Sequence, residues 1–337
     1  MRRDIGTDDA RVRVRPPRSS RPRTKDRPQH KDAVDGFVFS VDRGRYGVEL
    51  GDSTRVVAMK ARELGKGRVV VGDTVRVVGD LSGRKDTLAR IVGIKERSTE
   101  LRRSAEDGEA AGRERTVVAN ADQLLVVTAL ADPPPRVRMI DRYLVAAYDA
   151  GMEPILVLTK SDLADPAELL AAYTPLGVRA VVTSLLEGQE CDLSEVRELL
   201  TGHVSVLVGH SGVGKSTLVN AVTGAERATG HVNDVTGRGR HTSTSVVALR
   251  VDGGWVIDTP GVRSFGLAHI DTESILAAFT DLAEVAADCP RGCTHTATEP
   301  DCELSAAAMD DVLLAARLES FRRLVASRLG GEDKVKD

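Results

Sequence analysis

The chain has 337 residues, 29% of them charged and 3% aromatic, with a formal net charge of −3. That length suits two or three domains with properly buried cores. No stretch reaches the roughly 18 apolar residues of a membrane helix, and Arg2 and Arg3 stand with acids where a signal segment needs an apolar core. A multidomain cytoplasmic protein with no membrane partner is therefore expected. Four cysteines are too few for a secreted disulfide scaffold.

Residues 1–31 hold eleven Lys or Arg against four Asp, so this segment carries +7 and leaves −10 for the rest. Pro16, Pro17, Pro22 and Pro28 interrupt it and large apolar side chains are nearly missing, so a disordered basic tail is expected over residues 1–33. It is either a solubilising extension or an arm that contacts RNA phosphates.

From residue 34 to 97, short β-rich runs alternate with turn residues: DGFVFSV, RYGVEL, TRVVAM, GKGRVVVGDTVRVV and TLARIVGI. Five such strands predict a small closed barrel of the OB-fold type, which often presents a face to oligonucleotides. The alternative is a β-barrel that docks protein. Phe37, Phe39 and Tyr46 are the only aromatic stacking candidates here, so RNA readout would lean on Arg and Lys contacts to the backbone.

The polar stretch RSTELRRSAEDGEAAGRER reads as a linker, after which apolar strands alternate with helical segments. QLLVVTAL, PILVLTK, VRAVVTS, VSVLVG, TSVVALRV and GWVID read as strands, and RVRMIDRYLVAAYDAG, AELLAAY and SEVRELL as helices. This rhythm predicts an α/β domain over residues 98–270 with a parallel sheet covered on both faces. Residues 271–329 read as helices flanking a Cys/His segment, followed by a short tail over 330–337.

Gly209, His210, Ser211, Gly212, Val213, Gly214, Lys215, Ser216 and Thr217 match the pattern GxxxxGK(S/T), between the strand VSVLV and a helical segment. Glycines let the backbone curl around phosphate, and the helix N-terminus adds partial positive charge. Lys215 should reach the outer phosphates and Ser216 should ligate Mg²⁺. Downstream, Asp258-Thr-Pro-Gly261 ends a strand. Its Asp can hold a water on Mg²⁺, and the Gly261 N–H can approach the γ-phosphate. Residues 224–245, with GRGRHTSTS, read as a long functional loop. Thr242 is the candidate Mg²⁺ ligand there, with Ser243 and Thr244 as rivals because TSTS blurs the register. His241 either orients the attacking water or contacts RNA. Val262 stands where many GTPases carry a water-orienting Gln, so slow intrinsic turnover is expected.

Thr159-Lys160-Ser161-Asp162, followed by Leu163, has the form of a guanine-reading turn. The Asp162 carboxylate can accept both N1–H and the exocyclic amine of guanine, while the Lys160 stem packs on the purine. Adenine offers no such donor pair and would leave the charge unmatched, which disfavours an ATPase or kinase. Ser184 and Leu185 occupy the place of a second base loop, with the Leu185 N–H facing guanine O6. These turns precede the P-loop, so the order of an ordinary GTPase is circularly permuted. The chain after Asp258 then leaves directly for the Cys/His segment, which would let nucleotide state move the C-terminal part.

Cys289-x3-Cys293-x-His295-x6-Cys302 supplies four ligands, enough for one structural tetrahedral zinc, with free thiols beside a histidine as the alternative. Cys191 stands outside this cluster.

The permuted order, GHSGVGKST, GRGRHTSTS, DTPGVRSFG and the CTH-containing cysteine cluster together resemble the ribosome small subunit-dependent GTPase A family, over about Val34 to Leu329. The resemblance implies an N-terminal OB-fold barrel, a permuted P-loop GTPase domain and a zinc-binding helical domain. It also implies GTP hydrolysis to GDP with Mg²⁺, stimulated by the rRNA and proteins of the small ribosomal subunit during its late maturation, by a monomer. An RNA-binding assembly checkpoint that uses GTP as a timer, or a regulatory GTPase with protein partners only, are the competing readings.

Overall fold

The computed structural model describes residues 30–65, 67–104, 114–185, 193–224, 246–259 and 270–329. Most of the basic tail therefore lies outside the described residues, as do Cys191 and the tail over 330–337.

The first five strands are β1 (Val34–Asp42), β2 (Arg45–Leu50), β3 (Arg55–Lys60), β4 (Thr74–Gly79) and β5 (Ala89–Ile94). They pair in the order β1-β2-β3-β5-β4, and a further pairing of β1 with β4 closes them into the expected barrel. Val38, Val48, Val56, Ala58, Val75, Val77 and Ile91 alternate inward and fill it. Burying each of the larger ones stabilises by about 1.5–3 kcal/mol relative to exposure.

The stretch read as a linker enters a strand at each end, and its residues 105–113 lie outside the described residues. Its ends form β6 (Glu100–Ser104) and β7 (Glu114–Ala119), an antiparallel pair. Leu101 and Val118 are buried in the main core, an apolar anchor that the surrounding charges mask in the sequence. The barrel is fastened to this pair by side chains. The fully buried Asp73 carboxylate accepts Nε–H of Arg97 at 2.7 Å and the Val70 amide at 2.8 Å. At Gly72 (φ +91°) a Cβ would stand 1.9 Å from the Ala119 carbonyl, so only glycine permits the approach.

The α/β domain carries β8 (Gln123–Ala129), α1 (Val137–Asp149), β9 (Glu153–Thr159), α2 (Ala167–Tyr173), β10 (Arg179–Val182), α3 (Ser194–Leu200), β11 (Val204–Val208), α4 (Lys215–Thr223), β12 (Val247–Val251) and β13 (Gly254–Asp258). Its sheet runs β10-β9-β8-β11-β13-β12, parallel except for β12. All seven residues of β8 are buried, as a strand covered on both faces requires. Ser40 of β1 pairs with Val247 of β12, so the sheet of the α/β domain and the barrel wall form one continuous sheet of eleven strands.

Phe37 and Phe39 stack on Trp255 of β13 at centroid distances of 4.6 and 6.3 Å, and Tyr46 points into the barrel core. All three candidate stacking rings are thus committed to the protein's own packing rather than offered to bases.

The C-terminal segment forms α5 (Thr272–Leu276), α6 (Thr280–Ala286), α7 (Glu303–Ala307) and α8 (Val312–Leu329). Phe279, Leu282, Leu304, Leu318, Phe321 and Leu324 share a single buried cluster with Leu144 and Val145 of α1. The helical region is therefore cored against the α/β domain. Arg323 of α8 also pairs with the buried Asp141 of α1.

Candidate functional site

The carboxyl ends of parallel strands open onto one edge of the sheet, where open α/β folds bind ligands. The P-loop follows β11, the Thr159–Asp162 turn ends β9, Ser184 follows β10, and Asp258 ends β13. The sheet order places these ends side by side despite their separation along the chain.

The P-loop is shaped by its glycines and by one apolar anchor. At Gly209 (φ +147°) a Cβ would lie 2.2 Å from the Val127 carbonyl, so the loop leaves β11 hard against β8. Gly214, at φ +90°, caps α4, while Val213 is fully buried and holds the loop down. The Lys215 ammonium donates to the carbonyls of Gly209 at 2.5 Å and His210 at 2.7 Å. Burial lowers its pKa, and the facing Asp258 carboxylate partly opposes that shift. A desolvated cation held beside backbone donors suits a polyanionic ligand.

His210 places Nδ1 at 2.8 Å from the Ser211 carbonyl. Burial lowers its pKa, with the Arg136 and Lys215 charges acting in the same direction against the Ser211 hydrogen bond. A neutral ring donating from Nδ1 fits both observations.

The Thr159–Asp162 turn is tied to the P-loop by a buried hydroxyl. Thr159 donates to the Val213 carbonyl at 2.7 Å. Lys160, at φ +57°, donates to the Asp132 carbonyl in the turn after β8, which lays its stem across the site. The Ser184 hydroxyl donates to Asp162 Oδ1 at 2.5 Å and joins the two base loops. Leu163 is exposed beside them and Leu185 is half-buried. On the other side of the P-loop, Thr259 is buried and donates to the Leu207 carbonyl at 2.8 Å, pinning the chain just beyond Asp258. Sequence reasoning assigned no role to Asp132 or Thr259. Thr259 stood inside a recognised motif, whereas Asp132 acts through its backbone and leaves no side-chain signal. His241, Thr242, Ser243, Thr244, Gly261 and Val262 lie outside the described residues.

At the far end of the C-terminal helices the four ligand atoms of Cys289, Cys293, His295 and Cys302 lie within 4.8 Å of one another. A tetrahedron with bonds of about 2.3 Å has edges of about 3.8 Å, so the cluster fits zinc after a small contraction. The three cysteines are free thiols rather than disulfides. Burial raises the Cys302 thiol, but hydrogen bonds with His295, Ser305 and Cys293 outweigh it and bring it down to about 6, while burial and the neighbouring cysteines push Cys293 up to about 11, so without a metal the two thiols do not ionise together. His295 adopts a left-handed backbone at φ +57°. Arg322 of α8 holds that loop, donating to the carbonyls of His295 at 2.8 Å and Thr296 at 3.2 Å and to the Ser305 hydroxyl at 2.6 Å.

Residues 94–268 match the family model described as RsgA GTPase. The chain is 35% identical over 310 residues to the small ribosomal subunit biogenesis GTPase RsgA of Chlorobaculum tepidum, covering 88% of this chain and 99% of that protein. Among solved structures, YjeQ from Thermotoga maritima superposes with a TM-score of 0.67 at 27% identity, over 89% of this chain and all of that one. YloQ, described as a circularly permuted GTPase, shares the fold with a TM-score of 0.62 at 23% identity, over 89% of this chain and 98% of its own.

Proposed function

The chain belongs to the RsgA GTPase family, and on that footing we propose that it binds the small ribosomal subunit and hydrolyses GTP to GDP and phosphate as that subunit completes its maturation. The observation that carries this reading is the convergence of the P-loop, Asp162, Ser184 and Asp258 on one sheet edge, in permuted order. It acts as a cytoplasmic monomer with the rRNA and proteins of the subunit as partners.

Asp162 selects guanine through its paired acceptor oxygens, and Ser184 holds that carboxylate in place. The Leu185 amide meets the base carbonyl, and the Lys160 stem and Leu163 flank the ring. The amides from Gly209 to Gly214, with those of Ser216 and Thr217 at the start of α4, receive the phosphates. Lys215 exchanges its loop carbonyls for phosphate oxygens and neutralises charge that develops on them. A bound Mg²⁺ would supply charge neutralisation at the outer phosphates. The Ser216 hydroxyl, Thr242 and, through water, Asp258 are its protein partners. The Gly261 amide is assigned to the γ-phosphate, and His241 to orienting the attacking water or to an RNA contact. Turnover is slow without the subunit, because phosphoryl transfer depends on positioning and electrostatics rather than on a covalent step. Cys289, Cys293, His295 and Cys302 hold one structural zinc with all four positions filled, which leaves no open position for chemistry.

GTP and ATP hydrolysis are measured for the protein alone and with small subunits, large subunits or free RNA at matched salt. Stimulation of GTP turnover by small subunits above all other additions is expected. Equal stimulation by any RNA, or by none, removes the ribosomal assignment and leaves the GTPase.

A further inference from the structure

Two threonines lie side by side where β9 and β10 end. In the parallel pairing of these strands Val181 stands beside Val157 and Val182 beside Leu158. The Thr183 amide then donates to the Leu158 carbonyl at 2.8 Å, and the Thr183 carbonyl accepts the Ser161 amide at 3.3 Å. The ladder thus runs on by one residue and sets Thr183 beside Thr159. Alternation along a strand puts each threonine on the face of the valine two positions earlier. Those valines, Val157 and Val181, share one buried cluster with Val213 of the P-loop. Thr159 is 1% exposed and Thr183 is 4% exposed.

Their hydroxyls are used unequally. A threonine hydroxyl has one proton to donate and two lone pairs that accept. The Thr159 oxygen lies 2.7 Å from the Val213 carbonyl and 3.3 Å from that of Thr128, so its single proton goes to Val213. Among the described residues nothing donates to its lone pairs. A Cβ at Gly214 would sit 3.8 Å from the same oxygen, so the start of α4 rests directly on it. The Thr183 hydroxyl, by contrast, has no hydrogen-bond partner among the described residues. A hydroxyl buried in this way has lost its water with nothing in return.

The residue after it is already joined to the neighbouring turn, because the Ser184 hydroxyl donates to Asp162 Oδ1 at 2.5 Å. One of two consecutive hydroxyls therefore bridges the two loops, and the other stops short of an acceptor on the next strand. Adjacent strands run about 4.8 Å apart, so a small approach of the strand ends with a change of side-chain rotamer closes the gap.

We propose that Thr183 is a positioning residue for guanine binding: its hydroxyl donates to Thr159 Oγ1 when a nucleotide draws the two loops together, completing a relay from Thr183 through Thr159 to the Val213 carbonyl. The proposal rests on the guanine-nucleotide reading of this site, in which Asp162 and the Leu185 amide grip one base. A ligand held by both loops acts on both strand ends at once. The hydrogen bond is then gained on binding, and it contributes to affinity rather than to the stability of the free protein.

The test uses the full-length protein, titration calorimetry with GDP, and thermal melts recorded without added nucleotide. Thr183→Val keeps the shape and deletes the hydroxyl. Its GDP affinity should fall about tenfold, the scale of one hydrogen bond, while its melting temperature without nucleotide should rise because a buried unpaired group is gone. Thr183→Ser keeps the donor and should restore GDP affinity. Thr159→Val lacks the acceptor, so adding Thr183→Val to it should weaken GDP binding no further, a departure from additivity that marks a direct contact. Thr183→Ala removes the same donor and carries the same cycle if the valine variant does not fold.

A lower melting temperature for Thr183→Val would show a hydroxyl already paired in the free protein and would overturn the proposal. So would unchanged GDP affinity, no rescue by serine, or losses that add in the double variant. Failure of the parent protein to prefer GDP over ADP would sink the guanine reading itself. That failure is seen before any variant is made, whereas additivity strikes the relay alone.

Discussion

Thr159 donates its buried hydroxyl to the backbone carbonyl of Val213 at 2.7 Å, so the turn that ends β9 is tied to the glycine-rich loop that follows β11. One hydrogen bond across 54 residues of chain thus joins the proposed base-reading turn to the proposed phosphate loop.

Thr159→Val keeps the shape and deletes the donor, leaving a buried carbonyl unsatisfied at about 1–3 kcal/mol. GDP affinity, followed by titration calorimetry, should fall about tenfold, and Thr159→Ser should restore most of it. Equal affinity in the valine variant would show that the tether does not position the site.

Asp162→Asn replaces paired acceptors with one acceptor and one donor. GTP affinity should drop on the order of 100-fold, while xanthosine triphosphate, whose C2 carbonyl accepts from the new amide, gains. A competition assay between the two nucleotides reads the switch, and no change in their ratio would remove Asp162 from the base site.

Asp141 of α1 is 1% exposed and accepts from Arg323 at 3.2 Å and from the Tyr173 hydroxyl at 3.0 Å. Burial raises its pKa, and the Arg323 charge and the Tyr173 hydrogen bond only partly offset that. Arg323→Ala strands this carboxylate and should cost about 2–3 kcal/mol at neutral pH, below the full range for a broken buried pair because Arg323 is one-third exposed. An acid whose folded pKa exceeds its unfolded value binds its proton more tightly in the native state, so stability rises as pH falls through that raised pKa. The deficit of the variant, measured by denaturant melts, should therefore shrink from pH 7 toward pH 5. A pH-independent deficit would mean that the loss is packing alone.

One zinc per chain should be found by elemental analysis, and Cys302→Ser, at a position 3% exposed within the main core, should release it. Stripping the metal with a chelator should lower the melting temperature and free the His295 loop from Arg322, because ligand deprotonation and folding are linked through the ion. Intact stability after complete removal would leave the cluster as free thiols.

The sequence by itself determined the barrel, the permuted GTPase order, the glycine-rich loop after β11, the turn after β9 and the four residues of the Cys/His cluster. Each of these is written in local spacing: alternation of period two, glycines at the turns of a phosphate loop, ligands within one short segment. What only the tertiary structure decided lies in contacts between residues far apart along the chain. Arg250 reaches Glu49 across 201 residues and Arg323 reaches Asp141 across 182, and no local pattern announces either partner. The same reason explains the corrections. Leu101 and Val118 turn the ends of a charged linker into a hairpin once a core exists to bury them, and Phe37 and Phe39 become a weld only because β13 brings Trp255 alongside. Local chemistry names the ligands, and packing between distant segments decides which side chains remain available to bind them.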